Sequence, residues 1–470
     1  MRNKPMVLKI KNDKKFSCFL ILGLLFVTFF VFPQKVTSQE IENSEPEKKT
    51  EEKSENEKRI ETIEYGLDTE VATLITTLIK EENNDLTDSL IDLFKITKNQ
   101  DVREGIIKYC THFKIDALED YAISLLEDPY DEKNDTVSLV CEYVKTMDIK
   151  QAALPLQALL ETENEEYYDM AISALGVVGG EEQAVFLTTM FDEEDLSITR
   201  KQALVKALGN LQVLETWDKL KSLAEDEDEN LYVRMYAAEA IGEMKKNESV
   251  DVLINLYTSS EPSIREYALR GLSYYDSKKV QNVIVSAIKD DYWKVRKKAI
   301  EIATEQKITD AAPYLRYRAQ HDSETVVLYA AMEGIAALND KKGVEYLEEI
   351  VADQKKNDTI RSKCASYLLK YKITSSYDTV IDAANKTFEK DSYKTLRYAF
   401  GKLFTKYPSK KWEKTCKLFL ENDDVATRGT GLDIYRENKY SSLTSIVKTI
   451  SEEDSSSAIK QKAKHILETK

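Results

Sequence analysis

Glycine and proline, the two residues that break helices, are scarce in this sequence. The 470 residues include only 14 glycines and 8 prolines, about 5% of the chain, whereas the pair usually makes up about 12% of a soluble protein. β-Sandwiches, barrels and loop-rich α/β enzymes need many more turn residues, so the shortage excludes them. Hydrophobic residues make up 42% of the chain, which suffices for a core and excludes global disorder. We therefore predict an almost wholly helical chain.

The first 38 residues differ in composition from the rest of the chain. Six basic residues precede an uncharged apolar run over residues 16–32, and Val36-Thr37-Ser38 follows it. A basic head, an apolar middle and small residues before a junction are the parts of a secretory signal peptide. We predict cleavage after Ser38 and an exported protein, periplasmic or secreted. The apolar run is near the short limit for crossing a bilayer, and an uncleaved anchor in the inner membrane is the alternative.

Residues 39–59 form a strongly charged segment. Eight glutamates and four lysines lie between Gln39 and Lys58, with almost no large apolar residue. Such a segment cannot bury enough apolar surface to offset the entropy of ordering. We predict a disordered linker that precedes a folded region over residues 60–470.

The chain is acidic and poor in cysteine. The formal net charge is -16, and it becomes -22 once residues 1–38, with seven basic residues and one acidic residue, are removed. Such a charge repels phosphate backbones, so we do not expect nucleic acid as a partner. Four cysteines remain, too few for a disulfide framework. We expect buried free thiols, with a bridge between Cys110 and Cys141 as the alternative.

A pattern with a period of about 31 to 36 residues runs through the folded region, and such periods are typical of repeat proteins. Each copy carries an acidic residue or asparagine, then an apolar residue, an arginine, and small and apolar residues at helical spacing. Leu328 takes the arginine position in one copy. The arginine column consists of Arg200, Arg234, Arg265, Arg296, Arg361, Arg397 and Arg428. Eleven copies are recognisable, and we predict about 11 to 12 two-helix units.

This order, seen most clearly from Asn230 to Gly242, resembles the short HEAT-like repeat of bilin-lyase-type proteins. The resemblance implies an all-α fold, an α-α superhelix (solenoid) of the armadillo type. It also implies that the arginine column is a structural ladder between repeats, interrupted at Leu328. Residue by residue, Arg200, Arg234, Arg265, Arg296 and Arg428 would lie opposite Asp195, Asn230, Glu261, Asp291 and Asp424.

The sequence offers little catalytic chemistry. His112, His321 and His465 fall in separate repeats, and stacked repeats contact only their neighbours, so the three cannot form one metal site. The common catalytic and nucleotide-binding motifs are absent from the sequence. We predict a protein that is not an enzyme and has no catalytic, cofactor or metal site. A ligand-binding or lyase-like enzyme of the bilin-lyase HEAT type is the alternative.

Tyrosine is abundant, with 26 residues, and its amphipathic ring suits protein recognition. The resemblance places the arginine-bearing helices on the concave side of the superhelix. The candidate partner-binding residues are Tyr236, Tyr267, Tyr274, Trp293, Tyr329 and Tyr398. Packing of these rings between repeats is the alternative. We predict an exported scaffold or adaptor, monomeric by itself, that binds a protein or peptide along its concave face, and flanking carboxylates favour a basic or amphipathic peptide.

Overall fold

The computed structural model describes residues 55–162 and 165–468, and over these ranges the chain forms 26 α-helices and eight short 3-10 turns without a strand. The prediction of an all-α chain is confirmed. The signal peptide expected at residues 1–38 and residues 39–54 of the expected linker lie outside the described residues.

The helices alternate between two layers. The odd-numbered helices are α1 (Glu55–Tyr65), α3 (Thr87–Ile96), α5 (Glu119–Glu127), α7 (Ala153–Leu160), α9 (Glu181–Phe191), α11 (Trp217–Glu225), α13 (Ser249–Leu256), α15 (Lys278–Ala287), α17 (Ala312–His321), α19 (Lys341–Ala352), α21 (Tyr377–Lys386), α23 (Glu413–Leu420) and α25 (Thr444–Glu453). The even-numbered helices are α2 (Asp68–Lys80), α4 (Gln100–Phe113), α6 (Asn134–Met147), α8 (Tyr168–Val178), α10 (Ile198–Asn210), α12 (Leu231–Glu243), α14 (Pro262–Leu272), α16 (Trp293–Glu305), α18 (Thr325–Leu338), α20 (Asp358–Lys370), α22 (Lys394–Lys406), α24 (Val425–Asn438) and α26 (Ser457–Glu468). The 3-10 turns are Lys150–Ala152, Glu165–Tyr167, Leu214–Thr216, Thr309–Ala311, Thr374–Ser376, Asp391–Tyr393, Lys410–Trp412 and Ser441–Leu443.

Each odd-numbered helix packs against the even-numbered helix that follows it, which makes thirteen two-helix units within the described residues. The expected number was 11 to 12, and the additional unit is at the N-terminus. There α1 begins at Glu55, so residues 55–59, expected to belong to the linker, are helical. The guanidinium of Arg59 forms an ion pair at 2.9 Å with the carboxylate of Glu81, in the turn that follows α2, and the side chain of Ile63 is buried. These contacts order a segment that its composition alone marks as linker.

The even-numbered helices form the inner layer. Each one packs closely on the next along the whole stack, whereas only some successive odd-numbered helices of the described residues do so. In a curved stack the more closely spaced layer lies on the concave side. Small residues permit this spacing, because a Cβ added to Gly242 would lie 2.3 Å from the Cα of Gly271 on the next inner helix. Similarly, a Cβ on Gly209 would meet the Cβ of Ala240 at 2.6 Å.

In the turns that follow many inner helices, residues other than glycine adopt the left-handed backbone conformation that glycine usually supplies. Among the described residues, nine other than glycine have positive φ, and each of them lies one or two residues after an inner helix. They are Glu82, Lys114, Asp148, Gln212, Lys245, Lys307, Asn339, Lys372 and Lys439. This left-handed conformation costs about 1 kcal/mol for a residue with a Cβ, so these turns carry some strain.

The four cysteines of the described residues are buried and free. Cys110 and Cys141 form no bridge in this structure, so that alternative is wrong. Removal from water raises the pKa of both thiols to about 12. No helix within the described ranges is both long and apolar enough to cross a membrane.

Candidate functional site

The arginine column lies in the first turns of the inner helices, and three of its members hold a carboxylate of the next unit through two parallel hydrogen bonds. These pairs are Arg265 with Asp290, at 2.8 and 2.7 Å, Arg296 with Asp322, at 2.8 and 2.8 Å, and Arg428 with Asp454, at 2.6 and 2.9 Å. Arg296 also donates to the carbonyls of Asp290 and Asp291, in the loop before its own helix. One guanidinium therefore joins its own loop to the loop of the next unit.

The carboxylate partners differ from the expected ones. Each lies six residues before the arginine position of the next unit, as Asp290 does before Arg296. The expected partners Glu261 and Asp424 instead cap their own helices, because their side chains accept the N–H groups of Ser263 and Thr427. A carboxylate at the helix start is already engaged by the first turn, whereas the one six residues earlier faces the preceding unit.

The expected partners of the remaining pairs also lie elsewhere. Asn230 caps α12 through the N–H of Tyr232, at 3.0 Å. Asp195 and Asp291 are exposed, and Asp291 contributes only its backbone carbonyl to the ladder.

Among the described residues, Arg361 and Arg397 form no ion pair with a carboxylate of the next unit. Arg361 and Arg397 are each only 2% exposed and donate to the backbone carbonyls of Val351 and Thr387. Arg200 stacks on the ring of Tyr168, 4.4 Å from its centroid. Every one of these contacts joins neighbouring parts of the stack, which fits a structural role.

At two further positions of the column the structure shows why no arginine–carboxylate pair forms. The buried Nε of Arg234 has no hydrogen-bond partner within the described residues. The position that would supply its carboxylate, six residues before Arg265, holds Ser259. At Leu328 the arginine itself is missing, and Lys355 stands at the matching carboxylate position of the next unit. The ladder is therefore interrupted after the rung between Arg296 and Asp322, and a further rung of the same kind joins Arg428 to Asp454.

Two adjoining depressions on the inner layer form one groove, which we call the inner groove. The first, of about 500 Å³, crosses α12, α14, α16 and α18, and the second, of about 580 Å³, crosses α16, α18 and α20. They share Lys297, Glu301 and Val326. The first is lined by Leu231, Tyr232, Met235, Ser263, Glu266, Tyr267, Arg270, Trp293, Lys294, Lys297, Lys298, Glu301 and Val326. The second is lined by Lys297, Glu301, Thr304, Glu305, Val326, Tyr329, Ala330, Glu333, Tyr367, Lys370 and Tyr371.

The inner groove contains three of the six aromatic residues singled out from the sequence. Tyr267 and Trp293 line its first depression and Tyr329 its second. Tyr236 packs edge to face on Tyr267, with ring centroids 5.7 Å apart, but does not itself line the groove. Because Tyr236, Tyr267, Trp293 and Tyr329 are all half-buried, these rings both pack between units and present an edge to solvent.

Two of the six lie apart from the inner groove, and three groove tyrosines were missed. Tyr274 is 41% exposed and donates to Glu243 at 2.9 Å, and Tyr398 on α22 donates to Asp424. The missed residues are Tyr232, Tyr367 and Tyr371. A signal for Tyr232 existed, because the position two residues before the arginine carries exposed apolar side chains in three units. These are Ile198, Tyr232 and Val326.

The carboxylates of the inner groove are largely neutralised. Glu266 pairs with Arg270 at 2.9 Å, and Glu333 pairs with Lys370 at 2.6 Å. Glu301 is held by Lys298, at 2.8 Å, and by Lys297, and these lysines keep the pKa of Glu301 below its usual value despite its burial. The expected rim of free carboxylates is therefore replaced by ion pairs in this part of the stack.

Glu243, on α12 but outside the lining of the inner groove, forms no ion pair within the described residues. Burial, together with the like charge of Glu239 one turn away, raises its pKa to about 7, and only the hydroxyl of Tyr274 offsets this. Burial and the adjacent Glu243 in turn raise the pKa of Tyr274. Glu243 is thus partly protonated at neutral pH.

The described residues contain no group of three or more histidine, cysteine or acidic side chains that could hold a metal ion. His112, His321 and His465 lie on α4, α17 and α26, far apart along the stack.

The two-layer stack, the arginine ladder and the buried small residues define the class: a HEAT-repeat solenoid. A family model described as "Spirochaete HEAT repeat protein" matches residues 63–466, and the chain therefore belongs to the spirochaete HEAT repeat protein family.

Several solved structures are similar in fold. The complex of CpcE and CpcF of phycocyanin lyase from Nostoc is 17% identical, with a TM-score of 0.31, and covers 50% of this chain and 92% of that one. The karyopherin Kap121p bound to the SUMO protease Ulp1p is 12% identical, with a TM-score of 0.40, over 84% of this chain and 50% of that one. Kap95p, in a structure with RanGDP, is 11% identical, with a TM-score of 0.42, over 87% and 65%. A comparison with curated protein sequences gives no match.

Proposed function

We propose that this chain is a non-enzymatic scaffold or adaptor that binds a segment of another protein along the inner groove. The observation that carries the proposal is the continuity of the groove, which crosses five inner helices and exposes aromatic rings along its length. Packed helices lie about 8–10 Å apart, so the groove is about 30–40 Å long. At about 3.3 Å per residue, an extended segment of about ten to twelve residues would fill it.

The side chains of the inner groove support binding rather than catalysis. Three of its four carboxylates, Glu266, Glu301 and Glu333, are held in ion pairs, and neither depression is lined by a cysteine or a histidine. Rings such as Trp293 and Tyr267 offer large contact area at a small entropic cost, as residues that dominate protein interfaces do.

We further propose that the chain acts after export from the cytoplasm. The support is the basic head and apolar run of residues 1–38. Mass spectrometry of the N-terminus of the native protein tests this. A start at Gln39 supports release into an envelope compartment or the medium, an intact Met1 in the membrane fraction supports the anchored form, and an intact Met1 in the cytoplasm contradicts export.

A matched pair of tyrosines tests the binding surface. Tyr232 on α12 and Tyr317 on α17 are 54% and 57% exposed, but the first lines the inner groove and the second lies on an odd-numbered helix. Tagged chains carrying Tyr232→Glu or Tyr317→Glu are recovered from native cells, and their co-purifying proteins are quantified by mass spectrometry. We expect a constant companion to be lost with Tyr232→Glu and kept with Tyr317→Glu. The reverse result contradicts the proposal.

A further inference from the structure

The first depression of the inner groove is positively charged, although the chain as a whole is acidic. Its lining includes four cationic side chains but only two carboxylates, whereas the formal net charge of the chain is -16. The cations are Arg270, Lys294, Lys297 and Lys298. Arg270 is paired with Glu266 and also lies 3.7 Å from Glu239, outside the lining, and Glu301 is shared by Lys297 and Lys298. The positive excess therefore comes from the lysines, of which Lys294 has no carboxylate partner among the described residues.

The unpaired charge of this depression is that of Lys294, which lies against an aromatic ring. The ammonium of Lys294 is 5.7 Å from the ring centroid of Trp293, and it forms no ion pair within the described residues. Lys206 on α10, which does not line the depression, lies in the same way 3.6 Å from the ring centroid of Tyr236. A lysine on an aromatic face gains only a modest attraction from the ring, so its charge can still bind a carboxylate.

Apolar side chains lie directly beside these charges. Leu231, Met235 and Trp293 line the same depression, and Val326, which is 45% exposed, lies at its junction with the second depression. An occupant that satisfies both features needs an apolar or aromatic side chain for this surface and carboxylates within reach of the lysines.

We infer that the first depression binds an acidic linear segment of a partner protein, in which aspartates or glutamates flank an apolar or aromatic residue. This inference rests on the proposed function and names the chemistry of the partner. It reverses the expectation of a basic peptide, because the carboxylates that suggested one are paired with this chain's own lysines and arginine. The exposed carboxylate of Glu305 in the second depression repels a polyanion such as RNA, which carries a charge on every residue.

Fluorescence anisotropy of the purified chain with labelled 12-residue peptides tests the inference. One peptide has glutamates around two leucines and a central phenylalanine, and the other has lysine in place of every glutamate. We expect the acidic peptide to bind at least about tenfold more tightly at low salt and its affinity to fall as salt is raised. Equal binding, or tighter binding of the lysine peptide, would overturn the inference.

Two charge reversals locate the binding. Lys294→Glu changes an exposed groove lysine without an ion pair, and Lys342→Glu changes an exposed lysine on α19 in the other layer. We expect Lys294→Glu to weaken the acidic peptide about five- to tenfold and Lys342→Glu to change its affinity less than twofold. Thermal melts by circular dichroism establish that both variants are folded. If the two reversals weaken binding equally, the attraction is general and the inner groove is not its source.

Two further outcomes separate this inference from the proposed function. If Tyr232→Glu releases a companion protein but the lysine peptide binds more tightly than the acidic one, the scaffold function stands and the acidic partner is wrong. If a single-stranded RNA of 12 nucleotides binds more tightly than the acidic peptide and Lys294→Glu abolishes that binding, both are wrong.

Discussion

The gap in the arginine ladder at Arg234 makes the ladder rule testable. Three rungs join an arginine to an aspartate 25 or 26 residues further along the chain. The residue 25 positions after Arg234 is Ser259, which is half-buried and accepts the N–H of Glu261 at 3.2 Å. Asp290 makes the equivalent contact, accepting the N–H of Tyr292. The substitution Ser259→Asp should therefore keep the turn and add the missing rung.

The size of the gain follows from the existing rungs. A hydrogen bond to a charged group contributes about 1.5–3 kcal/mol, and the new carboxylate would accept two. Its own desolvation offsets part of this. The guanidinium of Arg234, however, is already partly withdrawn from water, and its Nε has no partner within the described residues. We expect Ser259→Asp to raise the free energy of unfolding by about 1–3 kcal/mol.

Urea unfolding of a double-mutant cycle measures the effect. The set comprises the unaltered chain, Ser259→Asp, Arg234→Gln and the double variant, with Ser260→Asp as a control at the exposed neighbouring residue. The gain should vanish in the Arg234→Gln background and be absent from Ser260→Asp. A gain of the same size without Arg234 would refute the rung and leave only a better turn.

Three further substitutions test other parts of the stack. Asp322→Asn should lower the free energy of unfolding by about 3–5 kcal/mol, because it leaves the charge of Arg296 buried without its carboxylate. The pKa of Asp322 is lowered in the folded chain, so the loss should be complete at pH 7. It should shrink as the pH falls below the pKa of an unfolded aspartate. Glu243→Gln should leave stability nearly unchanged at pH 4 and raise it by up to about 3 kcal/mol at pH 8. A carboxyl whose folded pKa is raised to about 7 destabilises the fold progressively as the pH rises above the pKa of an unfolded glutamate. A gain that is equal at both pH values would contradict the burial argument. Lys307→Gly should stabilise the chain by about 1 kcal/mol, because glycine removes the steric strain of the left-handed backbone conformation at this position (φ 53°). Thermal melts should show no such gain for Lys289→Gly, since Lys289 lies in a turn but does not have a positive φ.

Local pattern and composition suffice to predict the helices and the repeat, since both depend on residues within one unit. The apolar spacing and the small residues of Asn230 to Gly242, for example, reappear as a capped inner helix packed through Gly242. The partners of the arginines could not be predicted in the same way. Arg296 binds an aspartate of the next unit, and that contact depends on how one loop faces another across the stack.

The charge of the inner groove was missed for a related reason. Glu333 looks like a free carboxylate in the sequence, but its partner Lys370 is 37 residues away on the next inner helix. Counting charges along one helix therefore overstated the acidity of the surface. The N-terminal boundary was misplaced because residues 55–59 are polar, and their composition does not show the contact of Arg59 with Glu81 that joins them to the stack.

In-cell photo-crosslinking from four positions tests most directly the central claim, that the inner groove is the binding surface. A photoreactive phenylalanine replaces Tyr232 or Val326 in the groove, or Val185 or Tyr317 on odd-numbered helices, all of which are at least 45% exposed. We predict a crosslink to the same protein from both groove positions and none from the other two. Crosslinks that arise only from Val185 or Tyr317 would contradict the account.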